Sequence, residues 1–117
     1  MPYSPLGRGF LTGTVDVNAL EAGDTRHRFP RFAAGANQAI TDAVRSVAEA
    51  KGVTAAQVAL AWVQSRSEAL GVPVVPIPGT KRIKWLEQNA AALAVTLTAD
   101  DLAVLDPLAA HVVGSRY

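Results

Sequence analysis

The stretch Pro76-Ile77-Pro78-Gly79-Thr80-Lys81-Arg82-Ile83-Lys84-Trp85-Leu86-Glu87-Gln88-Asn89 carries the most information in the 117-residue chain. It reads as the end of an apolar strand, a glycine turn and the start of a helix. A helix N-terminus carries partial positive charge, so its first turn favours Asp and Glu. Here that turn holds Lys81, Arg82 and Lys84, with no acid before Glu87. Cations at that end are unfavourable unless an anion joins them. Free N–H groups, a glycine that permits close approach and several cations together suit a phosphate. A solvated basic helix start is the other reading, and the residues alone leave both open.

Upstream, Val72 to Ile77 is a short run rich in β-branched residues, which predicts a strand buried on both faces. Pro73 and Pro76 donate nothing to a ladder, which argues against a central position. Downstream, a helix is expected from about Lys81 to Leu93, with Ile83, Leu86, Ala90 and Leu93 inward. Thr98-Ala99-Asp100-Asp101 caps a further helix over 98–110, with Leu102, Leu105 and Leu108 inward. Before the strand, a helix pair is expected over 37–66. Ile40, Val44, Val47 and Ala48 share one face of the first helix, and Gly52 stops it. Thr54-Ala55-Ala56-Gln57 has the form of a capping box, opening a second helix to about Ser65. Val58, Ala59, Trp62 and Val63 face inward there.

Residues 14–36 have no sustained period and read as a long loop. It carries an acidic patch around Glu21 and Asp24, then the basic-aromatic run Arg26-His27-Arg28-Phe29-Pro30-Arg31-Phe32. Residues 1–13 are broken by Pro2, Pro5, Gly7, Gly9 and Gly13, leaving only Met1 to Tyr3 for a strand stub. Strands alternating with helices predict a parallel α/β arrangement. A strand apolar on both faces wants neighbours on both sides, so the pattern points to a piece of a larger fold.

Composition narrows the function. Hydrophobic residues make up 50% and charged residues 18%, at a formal net charge of +1. That balance gives no reason to expect nucleic acid or an anionic membrane as a partner. The chain has no cysteine, which excludes thiol catalysis and cysteine metal sites. His27 and His111 stand far apart without ligand spacing, against a metal centre. No apolar run reaches the length of a membrane span. The first residues lack the pattern of a secretory signal, so a cytoplasmic location is expected.

PIPGTKRIKWLEQN resembles the end of strand 8 and the start of helix 8 in the aldo-keto reductases. YSPLGRGFLTG at 3–13 resembles the loop after strand 7 of that family, and AEAKGVTAAQVALAWVQ the helix pair between those strands. RFPRF at 28–32 and GSRY at the end also match a bacterial and plant branch. The resemblance implies an α/β fold, here the C-terminal fragment of a (β/α)8 TIM barrel and mostly helical. It comprises a strand 7 stub and pyrophosphate loop over 1–13, strand 8 and helix 8 over 72–93, and a C-terminal helix. It also implies NADP(H) as cofactor and a small-molecule carbonyl substrate in the full-length context. By that resemblance, Ser4, Leu6, Gly7 and Arg8 contact the pyrophosphate side. Gly79, Thr80 and Lys81 surround the 2′-phosphate and ribose, with Arg82 supplementing them. Gln88 and Asn89 bond the adenine or its ribose. Trp85 stands where many relatives place an arginine or glutamine, so NADP over NAD rests on Lys81 and Arg82.

The family's Asp, Tyr, Lys and His tetrad comes from earlier strands, and none of its motifs occurs here. Tyr3, Tyr117, His27 and His111 do not match it, so no catalytic residue is assigned and the chain is expected to be inactive alone. Exposed barrel edges would favour self-association. A non-catalytic nucleotide-binding remnant is an alternative reading. A helix-turn-helix DNA-binding protein is another, on residues 47–59, although its second helix offers little beyond Gln57, Gln64 and Arg66 to a base or phosphate.

Overall fold

Local capping signals and apolar spacing set most of the helices. A computed structural model describes residues 1–33 and 35–114. Helix α1 spans Gln38–Lys51, α2 Ala55–Leu70, α3 Ile83–Ala91 and α4 Ala99–Leu105. On α1 the expected face is buried: Ile40, Val44, Val47 and Ala48. Gly52 ends it at φ 67°, its N–H donating to the carbonyls of Ala48 and Glu49. That left-handed turn costs a glycine little and any other residue more. At α2 the capping box forms both ways. The Gln57 N–H donates to Thr54 Oγ1 at 3.2 Å and the Thr54 N–H to Gln57 Oε1 at 3.0 Å. Thr98 and Asp101 repeat the device at α4.

Helix α2 runs past Ser65 to Leu70, because no breaker intervenes before Gly71. It is the hub of the fold, and Ala56, Val58, Ala59, Leu60 and Ala61 are all buried on it. Val58 has no exposed surface and sits in the core with Val44, Val47, Ala48 and Leu105. Full burial of such a side chain contributes about 1.5–3 kcal/mol. Trp62 packs against this cluster, half-buried, and its indole N–H donates to Asp106 Oδ1 at 2.7 Å. The Arg66 guanidinium pairs with the same carboxylate at 3.1 Å and lies 4.8 Å from the Trp62 ring centre. These contacts tie α2 to the turn that follows α4.

Two expectations are corrected. No strand forms over 72–77. Among the described residues the β structure is one isolated parallel bridge between Tyr3 and Ile77, with the Ile77 N–H donating to the Pro2 carbonyl at 3.2 Å. The prolines withhold donors, and the segment lies on the surface: Val72, Val75 and Ile77 are 54%, 56% and 48% exposed. The second correction concerns α3. Ile83 and Leu86, with Leu93 of the 3-10 turn Ala92–Ala94 that follows, point outward at 75%, 59% and 71% exposure, and Ala90 is exposed too. The other face, with Gln88, Asn89 and buried Ala92, turns toward the body of the molecule.

The long segment over 14–36 is not featureless. It winds through short 3-10 turns at Val17–Ala19, Thr25–Arg28 and Pro30–Phe32, the first two capped by Asp16 and Asp24. Its aromatic run is pinned to the N-terminal loop. Phe32 meets Phe10 edge-to-face at 5.5 Å, and the Arg8 guanidinium lies 3.9 Å from the Phe29 ring centre. The C-terminal residues Ser115, Arg116 and Tyr117 of the GSRY motif lie outside the described residues.

Candidate functional site

Tyr3 and Ile77 bring the two glycine-containing loops side by side, and a cleft of about 770 Å³ opens between them. One wall is the segment Ser4–Gly9. Glycine is required at the end of it: Gly9 has φ 89°, and a Cβ there would stand 3.2 Å from Val15 Cγ2. Ser4, Gly7 and Arg8 also take positive φ, so the segment is a succession of tight turns. They are closed by Gly7 N–H to the Ser4 carbonyl at 2.9 Å and Gly9 N–H to the Leu6 carbonyl at 3.0 Å. The opposite wall is Pro78, Gly79 and Thr80 with the first turns of α3. The start of α2, at Thr54 and Ala56, also lines the cleft.

Of the residues expected to hold a cofactor, Ser4, Leu6, Arg8, Gly79, Thr80, Gln88 and Asn89 line this cleft together. They come from three separate parts of the chain. Gly7 turns the other way, toward a second cavity. Lys81 and Arg82 are exposed and stand outside the lining. Lys84, one of the first-turn cations read as suiting a phosphate, and Trp85, which had no place in the cofactor set, line it instead. Trp85 keeps 37% of its surface exposed, and the Lys84 ammonium lies 4.8 Å from its ring centre. A signal for both was present. On a helix, the positions three and four before Gln88 share its face, and those positions are Trp85 and Lys84.

The cleft suits an anionic, aromatic ligand. No acid occupies the first turn of α3, and no side chain caps its N-terminus. Thr80 Oγ1 accepts the Arg82 N–H at 3.2 Å, which orients the turn before the helix. An anion at that end would meet the positive end of the helix dipole beside Lys84. Gln57 braces the site from below, its Nε2 donating to the Gln88 carbonyl at 3.0 Å.

On the long segment before α1, three acid–base groups are engaged in structure. Asp24 is pulled down to about 2, first by the Arg26 side-chain hydrogen bond and then by the Arg26 backbone N–H. The same pairing raises the Arg26 guanidinium. His27 Nε2 lies 3.0 Å from the Glu21 carbonyl oxygen, on the exposed loop. Among the described residues no group of three or more His, Cys, Asp and Glu side chains could hold a metal, and no helix is long and apolar enough to cross a membrane.

Comparison with known proteins completes this picture. The chain is 44% identical over 105 residues to the soybean (Glycine max) protein named probable aldo-keto reductase 1, covering 87% of this chain and 29% of that protein. It is 36% identical over 121 residues to aldo-keto reductase yakc of Schizosaccharomyces pombe, whose name carries NADP(+), covering 98% of this chain and 34% of that protein. The chain thus spans about a third of the length of these curated relatives. The model of the aldo/keto reductase family matches residues 1–110, and the chain belongs to that family.

Proposed function

We propose that this chain is the cofactor-binding, C-terminal portion of an NADP(H)-dependent carbonyl reductase. The observation that carries the reading is the cleft, which gathers Ser4, Leu6 and Arg8 with Gly79, Thr80, Gln88 and Asn89. The N-terminal segment would take the pyrophosphate, through the Ser4 hydroxyl and Arg8. The α3 N-terminus with Lys84 would take the adenosine phosphate, and exposed Lys81 and Arg82 would add charge at its edge. Trp85 would offer a ring face to the adenine, with Gln88 and Asn89 bonding its polar edge.

The bound cofactor would supply hydride. What this chain contributes is position: it would hold the dinucleotide at its phosphates and adenine. No residue of this chain is assigned the family's role of protonating a carbonyl oxygen. The chain alone is therefore proposed to bind without turning over. The helix-turn-helix alternative gains no support. The would-be reading helix is α2, buried at Ala56 and from Val58 to Ala61. Gln57 is spent on its cap and on Gln88, and Arg66 on Asp106.

The test uses Trp85 as reporter in a Trp62→Phe chain. Titration with NADPH should quench its emission saturably, and adenosine 2′,5′-bisphosphate should compete. Unchanged Trp85 emission at millimolar NADPH would defeat the proposal.

A further inference from the structure

Behind the wall of the cleft lies a second cavity of about 270 Å³, and we propose that it is a binding site for a small uncharged apolar molecule, aromatic or branched aliphatic. Its walls are Ile40 and Val44 of α1, Val58 and Trp62 of α2, Leu105 of α4 and Phe10 of the N-terminal loop. The polar side chains that reach it are Arg31 and Asn37. The Asn37 amide is already committed: its Nδ2 donates to the carbonyls of Val113 at 3.0 Å and Arg31 at 3.3 Å, and its Oδ1 accepts the Val113 N–H at 2.7 Å. An ordered water needs two to four polar partners, and cavities of about 150 Å³ lined by aliphatic and aromatic groups stay dry and accept benzene. This one is larger and mostly so lined, with Arg31 and Asn37 as the polar exceptions. Ala109 and Val112 line it and are also exposed, which marks its mouth.

The cavity and the cleft share a wall. Pro5 lines both, Gly7 faces the cavity, and Leu6, Arg8 and Gly9 face the cleft. A molecule in the cavity would therefore pack against the back of the turns at Ser4–Gly9. Filling it should hold those turns closed, because any opening that swings Pro5 and Gly7 away would also lose the ligand's contacts. Neither claim depends on what the cleft binds.

Toluene is the probe, with the full chain and no nucleotide present. A Trp85→Phe chain leaves Trp62 as sole tryptophan, lining the cavity. Toluene should shift its emission saturably. Ala109→Phe, which plugs the mouth from an exposed position, should abolish the shift while helical circular dichroism stays unchanged. Val112→Phe is a second plug, from the C-terminal side, should the first perturb folding. At toluene ten times its Kd, amide exchange at Gly7 and Gly9 should slow about tenfold, the factor by which binding suppresses a ligand-free opening. An absent or non-saturable shift, or an equal shift in both plugged variants, overturns the site. Saturable binding with unchanged exchange at Gly7 and Gly9 overturns the link to the loop.

Discussion

The cations at the start of α3 divide by direction. Lys84 lines the cleft against Trp85, while Lys81 and Arg82 are exposed beside it. If the exposed pair reads the 2′-phosphate, Lys81→Ala with Arg82→Ala weakens NADPH by about 1.5–3 kcal/mol for each charge-assisted bond lost. NADH, lacking that phosphate, should hardly change. Isothermal titration of both cofactors in a full-length context decides it, and equal losses would remove the pair from phosphate recognition. Asp101 gives a second residue-scale expectation. Its carboxyl is held below the ordinary value, first by the Lys51 ammonium at 2.7 Å and next by the Thr98 backbone N–H. A carboxyl depressed on folding stabilises the fold above its unfolded pKa of about 3.9, and that contribution fades as pH falls through the lower folded value. Asp101→Asn should therefore lower the urea midpoint at pH 7 and flatten its decline below about pH 4. An unchanged pH profile would show that the Lys51 pair contributes nothing.

At the scale of elements, Gln57 does two jobs where Thr54 does one. Both close the capping box of α2, but Gln57 also holds the Gln88 carbonyl of α3. Thr54→Ala should cost about 1 kcal/mol, the usual loss of a cap. Gln57→Ala should cost more, and urea unfolding of the two variants tests the order. The contrast also explains what was legible in advance. The caps at Thr54 and Thr98, the stop at Gly52 and the buried face of α1 depend on residues within a few positions of each other, so the chain declares them locally. The strand over 72–77 depends on neighbours. Without a ladder on either side, its apolar residues lie exposed and Pro73 and Pro76 decide the outcome. Helix α3 failed in the same way. The stripe Ile83–Leu86–Ala90–Leu93 has helical spacing, but nothing in the spacing says whether a surface is there to receive it. The cleft was legible in its loops, through glycine and proline placement and family resemblance. Lys84 was legible as a first-turn cation, whereas Trp85 needed the helix phase, which follows from Gln88 and Asn89.

The molecule combines an enclosed core with uncovered apolar side chains. Val44, Val47, Val58 and Leu105 are enclosed among α1, α2 and α4. Val75, Ile77, Ile83, Leu86 and Leu93 are about half exposed or more, on the extended segment, the outer face of α3 and the 3-10 turn after it. In a barrel, such a strand and such a helix face are covered by neighbouring strands, and closure removes every edge. Here the Tyr3–Ile77 bridge is a parallel pairing begun and not extended. Exposed apolar surface of this kind drives association, and an unpaired extended edge templates it. The purified chain should therefore self-associate with rising concentration, and Ile83→Glu with Leu86→Glu should reduce it, since both replace exposed side chains and leave the enclosed core alone. Light scattering over a concentration series checks this. The same preparation should show no NADPH oxidation above background with a panel of aldehydes, because the chain is proposed to hold the cofactor without supplying the acid that protonates the carbonyl oxygen. Turnover from a clean monodisperse monomer would contradict both halves of the argument. It would mean that the α1–α2–α4 core makes a self-sufficient domain and that a group on this chain supplies the acid.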